Sequence, residues 1–246
     1  MASLANKVAV VTGGSGTVGS GIIYQLLKAG AKVIAPVRNE RGKQSLLSEL
    51  ESLPSTANLE TPLADVSDAK SVEALGNEVK TKYGTVDHVV TAVGSWWQKG
   101  PLLQFAGLHD SCDEMLTQYQ TYVMSHFIMA KVFVPLLKAA PESSFTFITG
   151  SGGEQLFNVD ASMIRAQVGA LFCVIDCIQV EYADKSYPRI NEFRIRSWIK
   201  RHAEATGSGG YSHRVLGQYL LESCVASNTK GQLLRVADAE LAFVNP

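Results

Sequence analysis

The chain has 246 residues, of which 46% are hydrophobic and 18% charged, an ordinary globular composition that can bury a large core. Its 22 basic and 23 acidic side chains give a net charge of −1, which argues against general nucleic-acid binding or a polybasic membrane contact. The four cysteines form neither a CxxC pair nor a zinc-site spacing, so we expect reduced thiols and no metal centre. We read no secretory leader, and charged residues or proline interrupt the most apolar stretches, so we expect a soluble cytoplasmic protein.

Strand-like and helix-like segments alternate along the chain. Short apolar runs predict strands at 7–12, 31–37, 59–64, 87–93, 144–149, 189–193 and 232–236. Apolar residues at helical spacing predict helices at 17–29, 40–53, 68–83, 111–138, 161–182 and 212–223. Strands separated by helices imply right-handed crossovers in one parallel sheet. The pattern predicts a single α/β domain over residues 1–246, with a doubly wound sheet of about seven strands and helices on both faces.

A glycine-rich turn joins the first predicted strand to the first predicted helix. Gly14, Gly16 and Gly19 have the G-x-G-x-x-G spacing. Glycines there permit a tight turn and let a diphosphate approach N–H groups at a helix N-terminus, where the dipole favours negative charge. The candidate cofactor-binding residues of this turn are Gly13, Gly14, Ser15, Gly16, Thr17, Val18 and Gly19. The turn predicts a Rossmann-like dinucleotide site, with a purely structural glycine turn as the alternative.

The residues after the second predicted strand indicate which dinucleotide binds. A carboxylate at this point would bind the 2′-hydroxyl of NAD and repel a 2′-phosphate. The sequence has no acid there before Glu40, and Arg38 offers a planar fork of donors suited to phosphate. This favours NADP(H) over NAD(H), unless Arg38 only solvates the end of the strand.

These motifs resemble those of the short-chain dehydrogenase/reductase family, and the resemblance extends over nearly the whole chain. The turn is similar to the family's TGxxxGxG, with Thr12, Gly13 and Gly19 in place and Thr17 where a glycine is usual.

Two later segments carry the resemblance further into the cofactor site. The sequence Ala-Asp-Val at 64–66 resembles the family's step after the third strand, which implies that Asp65 meets the adenine amino group beside Val66. Residues 87–94 resemble the fourth strand with its NNAG ending, which implies a cofactor contact at Gly94.

The resemblance also implies that the family's four catalytic residues are replaced in this chain. The family reduces carbonyls with a tyrosine acid, a lysine four residues later, a serine and an asparagine. The resemblance implies that Ala161 stands at the tyrosine position, Arg165 at the lysine position and Tyr122 at the asparagine position. Gly150 stands at the serine position, or Ser151 in a register one residue later. An alanine cannot donate a proton, so the standard mechanism is not available.

Three side chains in the expected cleft could take over the chemistry. Tyr122 carries a phenol, Ser151 a hydroxyl, and Arg165 a fixed cation that could lower the pKa of a phenol or hold an oxyanion. We hypothesise that Tyr122 is the acid and Arg165 its electrostatic partner. In the alternative, Tyr122 packs between helices and Arg165 makes a structural ion pair.

Two tryptophans follow the fourth predicted strand, at the edge where open α/β sheets bind ligands. Adjacent tryptophans are costly to expose, so Trp96 and Trp97 line either a pocket or an interface. A pocket would imply a substrate with an aromatic or polycyclic body.

A cluster of basic residues lies late in the chain. Residues 189–214 contain six cations and two acids, which could recognise an acidic substrate or cofactor phosphates, or could be solvated surface. In this architecture, the segment 194–217 is expected to cover the substrate.

Three functions remain open. The first is an NADP(H)-dependent oxidoreductase that acts on a small organic carbonyl or imine with an atypical acid–base site. The second is a non-redox cyclase, isomerase or lyase in a biosynthetic pathway, and the third is a catalytically silent NADP(H)-binding or scaffold protein. The helices at 111–138 and 161–182 resemble the family's oligomerisation pair, which implies a homodimer or homotetramer.

Overall fold

The computed structural model describes residues 3–94, 96–205 and 209–242, so parts of the predicted domain 1–246 and of the segment 194–217 lie outside the described residues. The strands are β1 (Val8–Thr12), β2 (Lys32–Ile34), β3 (Leu59–Glu60), β4 (His88–Thr91), β5 (Ser144–Gly150), β6 (Arg189–Ile195), β7 (Ile199–Lys200), β8 (Tyr211–Ser212) and β9 (Leu233–Val236). Seven form a parallel sheet in the order β3-β2-β1-β4-β5-β6-β9, while β7 and β8 pair separately. The predicted α/β fold, a doubly wound parallel sheet of seven strands, is confirmed.

Helices cover both faces of this sheet. They are α1 (Thr17–Lys28), α2 (Glu40–Leu50), α3 (Ala69–Tyr83), α4 (Leu108–Tyr119), α5 (Ser125–Phe133), α6 (Ser162–Glu181), α7 (His202–Ala205), α8 (His213–Leu220) and α9 (Asp238–Ala242). The predicted helix at 111–138 is divided, because a π-helical turn at Gln120–Met124 separates α4 from α5.

The second and third strands are shorter than predicted. Regular pairing of β1 with β2 ends at the pair Val10–Ile34, two residues before the end of β1. The residues that follow β2 and β3 stay hydrogen-bonded to each other, and an isolated bridge joins Val37 to Leu63.

Alternating residues of the central strands build a core on each face of the sheet. On one face, Ala9 and Val11 of β1 pack in a cluster with Ile22 and Leu26 of α1. On the other face, the cluster of Val10 joins β4 and β5 to apolar residues of α3 and α5 such as Val72 and Phe133. This packing fixes the carboxyl end of β1 and the start of α1.

Helices α1 and α8 cross in direct backbone contact. A Cβ atom added to Gly21 would lie 2.1 Å from the carbonyl oxygen of His213, and one added to Gly217 would lie 2.3 Å from that of Gly21. Only residues without a Cβ atom permit this approach. The helix that starts at the glycine turn is therefore locked to the helix that follows β8.

The segment Val159–Glu181, which includes α6, is long and apolar enough to span a membrane by length and composition alone. Charged residues that interrupt the apolar stretches, here Arg165 and Asp176, are expected from the sequence to exclude a membrane span. Within the fold, Leu171 and Ile175 of this helix pack in the core cluster beneath the sheet. This packing accounts for the apolar residues on the buried side of the helix, while Val180 on its outward side is exposed.

Candidate functional site

Two adjoining cavities lie at the carboxyl ends of the parallel strands. The first, of about 620 Å³, lies beside β2 and α2, and the second, of about 790 Å³, lies over the ends of β5 and β6. Both are lined by Gly16, Ala92, Val93 and Gly94, so they meet between the carboxyl ends of β1 and β4. The strand order reverses at this point, which is where open α/β sheets bind ligands.

The glycine turn forms the floor between the two cavities. Gly13 has a φ of 72°, and a Cβ atom on it would lie 2.2 Å from the carbonyl oxygen of Ala92. A Cβ atom on Gly19 would lie 2.3 Å from the carbonyl oxygen of Gly13. Both positions therefore require glycine for the turn to close.

No described side chain caps the start of α1 by a hydrogen bond. Its N-cap residue is Gly16, and the first turn contains no acidic residue. Of the other turn residues, Ser15 lines the first cavity, while Thr17 and Val18 line the second. Gly14 packs beneath the turn, because a Cβ atom there would lie 2.6 Å from the Ile23 side chain. The N–H groups of this first helical turn can therefore donate hydrogen bonds to a diphosphate.

The wall of the first cavity is basic on the α2 side. Arg38 and Arg41 are both exposed and line it, whereas Glu40 between them does not. Arg41 was missed by the sequence analysis, because a basic residue in the first turn of a helix ordinarily indicates only surface. Two guanidinium groups at this point suit a phosphate group.

Asp65 and Val66 lie on the opposite wall of the first cavity. The Asp65 carboxylate accepts hydrogen bonds from the Ser67 amide at 2.9 Å and the Ser67 hydroxyl at 2.7 Å. Burial tends to raise the pKa of Asp65, but the Ser67 hydrogen bonds and the charge of Arg38 outweigh it and lower the pKa. The carboxylate is therefore ionised and can accept a hydrogen bond from an amino group.

The second cavity is walled mainly by apolar and hydroxyl-bearing side chains. Its aromatic lining residues are Trp96, Tyr122, Phe157 and Trp198. Among the described residues that line it, only Tyr122 and Arg196 carry ionisable side chains. Few of these side chains could therefore donate a proton to a molecule bound in the second cavity.

Tyr122 lies within the π-helical turn between α4 and α5. Four residues later, His126 is fully buried; its Nε2 lies 2.9 Å from the Val93 carbonyl oxygen and its Nδ1 2.8 Å from the Thr91 hydroxyl. Because a carbonyl can only accept, Nε2 carries the proton and Nδ1 accepts from the hydroxyl. The imidazole thereby fixes the end of β4 relative to the helix that carries Tyr122.

Ser151 and Thr149 line the second cavity from the end of β5. The Thr149 hydroxyl donates to the buried carboxylate of Glu192, so it presents only lone pairs to the cavity. Ser151 opens a short 3₁₀ turn that extends to Gly153, and its side chain is buried at the cavity wall.

The structure does not bring Arg165 to either cavity wall. Its side chain is exposed and donates to the carbonyl oxygen of Gly153. The α6 residues that line the second cavity are instead Val168 and Leu171, both aliphatic. Ala161 is buried just before α6 and likewise does not line the cavity. Helix α6 and the residue before it therefore offer no ionisable group to the described wall of the second cavity.

The two adjacent tryptophans occupy different environments. Trp96 lines the second cavity, with its ring centroid 6.2 Å from that of Phe157. Trp97 is buried away from the cavity, where it packs edge-on against Phe105 at 4.9 Å and donates to Glu114 at 2.7 Å. Trp97 is therefore part of the structural core, and of these two tryptophans Trp96 lines the second cavity.

The basic cluster at 189–214 is mostly structural. Arg189 is buried and donates to five backbone carbonyl groups, those of Pro141, Glu142, Cys224, Val225 and Thr229. Arg201 pairs with Glu49 at 2.5 Å, and only Arg196 of the cluster lines the second cavity.

Together these features define a dinucleotide-binding site of the Rossmann-like class: a glycine turn at the switch point, open helix N–H groups, and a cavity on each side. Residues 7–162 match the family described as short chain dehydrogenase, and the chain belongs to this family.

Curated relatives match parts of the chain. A tropinone reductase homolog from Arabidopsis thaliana is 29% identical over 152 residues, 61% of this chain and 54% of that protein. An 11-beta-hydroxysteroid dehydrogenase A from Sesamum indicum is 31% identical over 91 residues, 37% of this chain and 26% of that protein. The chain thus spans about half or less of the length of these relatives.

Solved structures match nearly the whole chain. A putative short-chain dehydrogenase/reductase from Burkholderia xenovorans has a TM-score of 0.78 at 21% identity, covering 97% of this chain and 98% of that one. An NADPH-bound short chain oxidoreductase from Pseudomonas aeruginosa PAO1, described as containing an atypical catalytic center, has a TM-score of 0.79 at 20% identity, covering 96% and 97%. At this identity the likeness concerns the fold.

Proposed function

We propose that this chain is an NADP(H)-dependent oxidoreductase that reduces a small organic carbonyl or imine with an aromatic or polycyclic body, using a proton donor different from the family's tyrosine. The observation that carries the proposal is the position of Tyr122. Its phenol lines the second cavity beside Gly94, where that cavity meets the first.

The first cavity supports the choice of cofactor. Its walls would hold the adenosine half, with Asp65 as acceptor for the adenine amino group and Val66 beside it. Arg38 and Arg41 supply donors for a 2′-phosphate, and Glu40 between them does not line the cavity. The turn from Gly13 to Gly19 receives the diphosphate at the start of α1.

NADPH, when bound, supplies the hydride. The protein's part is to place the carbonyl carbon of the substrate beside the cofactor and to stabilise the charge that develops on its oxygen. Tyr122 donates its proton to that oxygen as general acid. The Ser151 hydroxyl donates a hydrogen bond to the same oxygen from the end of β5.

Arg165 has a positioning role in this proposal. Its guanidinium group holds the Gly153 carbonyl, which ends the 3₁₀ turn that Ser151 begins. It acts on the hydroxyl through the backbone of this turn, and not as an electrostatic partner that touches the phenol.

The cavity wall supports an aromatic substrate. Trp96, Phe157 and Trp198 present ring surface to the second cavity, and aromatic rings prefer to pack against other rings. Trp198 belongs to the segment 194–217, which agrees with a covering role for this segment.

The proposal is tested in two stages. Titration with NADPH and NADH, followed by cofactor fluorescence, should give tighter binding of NADPH. Oxidation of NADPH is then measured with a panel of aryl ketones and cyclic imines, and turnover of at least one is expected. NADPH binding without turnover of any member would support the silent binding protein, and activity without nucleotide binding would support the non-redox enzyme.

We also propose that the chain forms a homodimer or homotetramer. The outward faces of α4 and α6 expose apolar side chains, among them Leu116 and Val180 at 68% and 76% exposure. Light scattering coupled to size-exclusion chromatography should give twice or four times the mass of 26.5 kDa. Leu116→Glu should reduce that mass, because a charge at an apolar interface is costly.

A cytoplasmic location completes the proposal. The four cysteines are all free thiols in the fold, three of them exposed, which suits a reducing compartment. Fractionation of cells that produce the chain should recover it with the cytosol; recovery with membranes would contradict this.

A further inference from the structure

The second cavity carries a charge imbalance in its wall. Arg196, which directly follows β6, is the single fully charged side chain among the described residues that line this cavity. No carboxylate of the described residues lines the same space. Since 44% of the Arg196 side chain is exposed, its guanidinium group is accessible to a molecule in the cavity.

The partner of Arg196 is shared with two other arginines. Glu154 accepts from Arg194 and from Arg235, each at 2.8 Å, while the Nε of Arg196 lies 3.5 Å away. Arg194 also pairs with the buried Glu192 at 2.7 Å. Burial tends to raise the pKa of Glu154, but the hydrogen bonds from Arg235 and Arg194 outweigh it and lower the pKa, so its carboxylate is charged.

This cluster contains three guanidinium groups and two carboxylates, so one positive charge is not balanced within it. Of the three arginines, Arg196 has the longest contact with Glu154, since its Nε lies 3.5 Å from the carboxylate. A guanidinium group presents two parallel N–H donors that match the two oxygens of a carboxylate. The unbalanced charge therefore faces the cavity through Arg196.

We propose that Arg196 binds a carboxylate of the substrate, so that the substrate is an aromatic oxo acid and not a neutral ketone. This rests on the proposed function, because it concerns the substrate of the same cavity. The aromatic body packs against Trp96, Phe157 and Trp198, and the carboxylate points towards the end of β6.

A binding experiment without cofactor tests this independently of catalysis. Trp96 and Trp198 lie in the cavity wall, so their fluorescence reports binding of 2-naphthoate and of its neutral analogue 2-naphthamide. The unmodified protein should bind the naphthoate about tenfold or more tightly, as expected for a charge-assisted contact. Arg196→Gln should remove this preference, and Arg196→Lys should restore part of it.

Arg235→Gln provides the matched control. Arg235 pairs with the same carboxylate of Glu154 and is similarly exposed, but it does not line the cavity. This variant removes a charge from the same cluster but leaves the Arg196 guanidinium group in the cavity wall, so it should keep most of the preference for naphthoate.

Equal affinity of the unmodified protein for both probes would overturn the proposal, whether or not the variants fold. Equal losses in Arg196→Gln and Arg235→Gln would also overturn it, since the effect would then be general electrostatics. Weaker NADPH binding by Arg196→Gln with an unchanged naphthoate preference would also overturn it, since Arg196 would then bind the cofactor.

A retained naphthoate preference without any NADPH oxidation would refute the oxidoreductase function and leave the proposed carboxylate site unaffected.

Discussion

The phenol ring of Tyr122 packs against the backbone of Gly94. A Cβ atom built on Gly94 would lie 3.2 Å from Cε1 of the ring and 3.6 Å from its hydroxyl oxygen. Because Gly94 borders both cavities, this contact places the phenol at the junction between the two.

Removal of the phenol hydroxyl should therefore affect catalysis and not cofactor binding. We expect Tyr122→Phe to lower kcat for carbonyl reduction by about 100-fold or more, the usual contribution of a general acid. The Kd for NADPH should change little, since the ring remains. Tyr119→Phe, on the exposed side of the preceding helix, is the control and should keep full activity. Unchanged turnover by Tyr122→Phe would remove the phenol from the mechanism.

The glycine turn should tolerate no added methyl group at its closest contact. Gly19→Ala would place a Cβ atom 2.3 Å from the Gly13 carbonyl oxygen, so the turn must open and NADPH binding should be lost. Calorimetry with NADPH measures this. Gly107→Ala is the matched control, because a Cβ atom there meets nothing within 4 Å. Normal NADPH affinity in Gly19→Ala would contradict the proposed role of the turn.

Cofactor preference should depend on the charge of Arg38. Arg38→Glu places a carboxylate where the 2′-phosphate is expected, so the Kd for NADPH should rise about tenfold or more and the Kd for NADH should fall or stay unchanged. Both constants are obtained by fluorescence titration. Lys70→Glu makes the same charge change on an exposed side chain outside the cavity. It should leave the ratio of the Kd for NADPH to the Kd for NADH unchanged. An unchanged ratio in Arg38→Glu would argue for NAD(H).

Acid should destabilise the fold through two buried histidines. Burial lowers the pKa of His88 and that of His126 from 6.5 to about 4. The unfolded chain therefore binds more protons than the folded chain between pH 6.5 and about 4, and the free energy of unfolding falls as the pH falls through this window. Each histidine contributes about 1 kcal/mol per pH unit over most of that range.

Urea unfolding at several pH values measures this slope. His126→Phe should flatten it, at the cost of the hydrogen bonds to Thr91 and Val93. His109→Asn, which changes an exposed histidine, should leave it unchanged. A slope in His126→Phe equal to that of the unmodified protein would show that this imidazole does not titrate as burial implies.

Sequence patterns predict the sheet and the glycine turn well, because both follow from local rules. Alternation of strands and helices dictates the crossovers, and the positions of Gly13 and Gly19 are required by backbone contacts. The second cavity is less predictable. Whether Arg165 or Val168 faces the cavity depends on how α6 is rotated on the sheet, which spacing alone does not fix. Phe157 and Trp198 lie in irregular segments, where the sequence shows no period from which to infer their direction.

The glycine contact between α1 and α8 has a consequence for how ligands reach the site. Neither helix can slide or roll past the other without a collision of main-chain atoms at Gly21 and Gly217. A ligand must therefore reach the second cavity without relative movement of these two helices, so the glycine turn at the start of α1 keeps its place as the ligand enters.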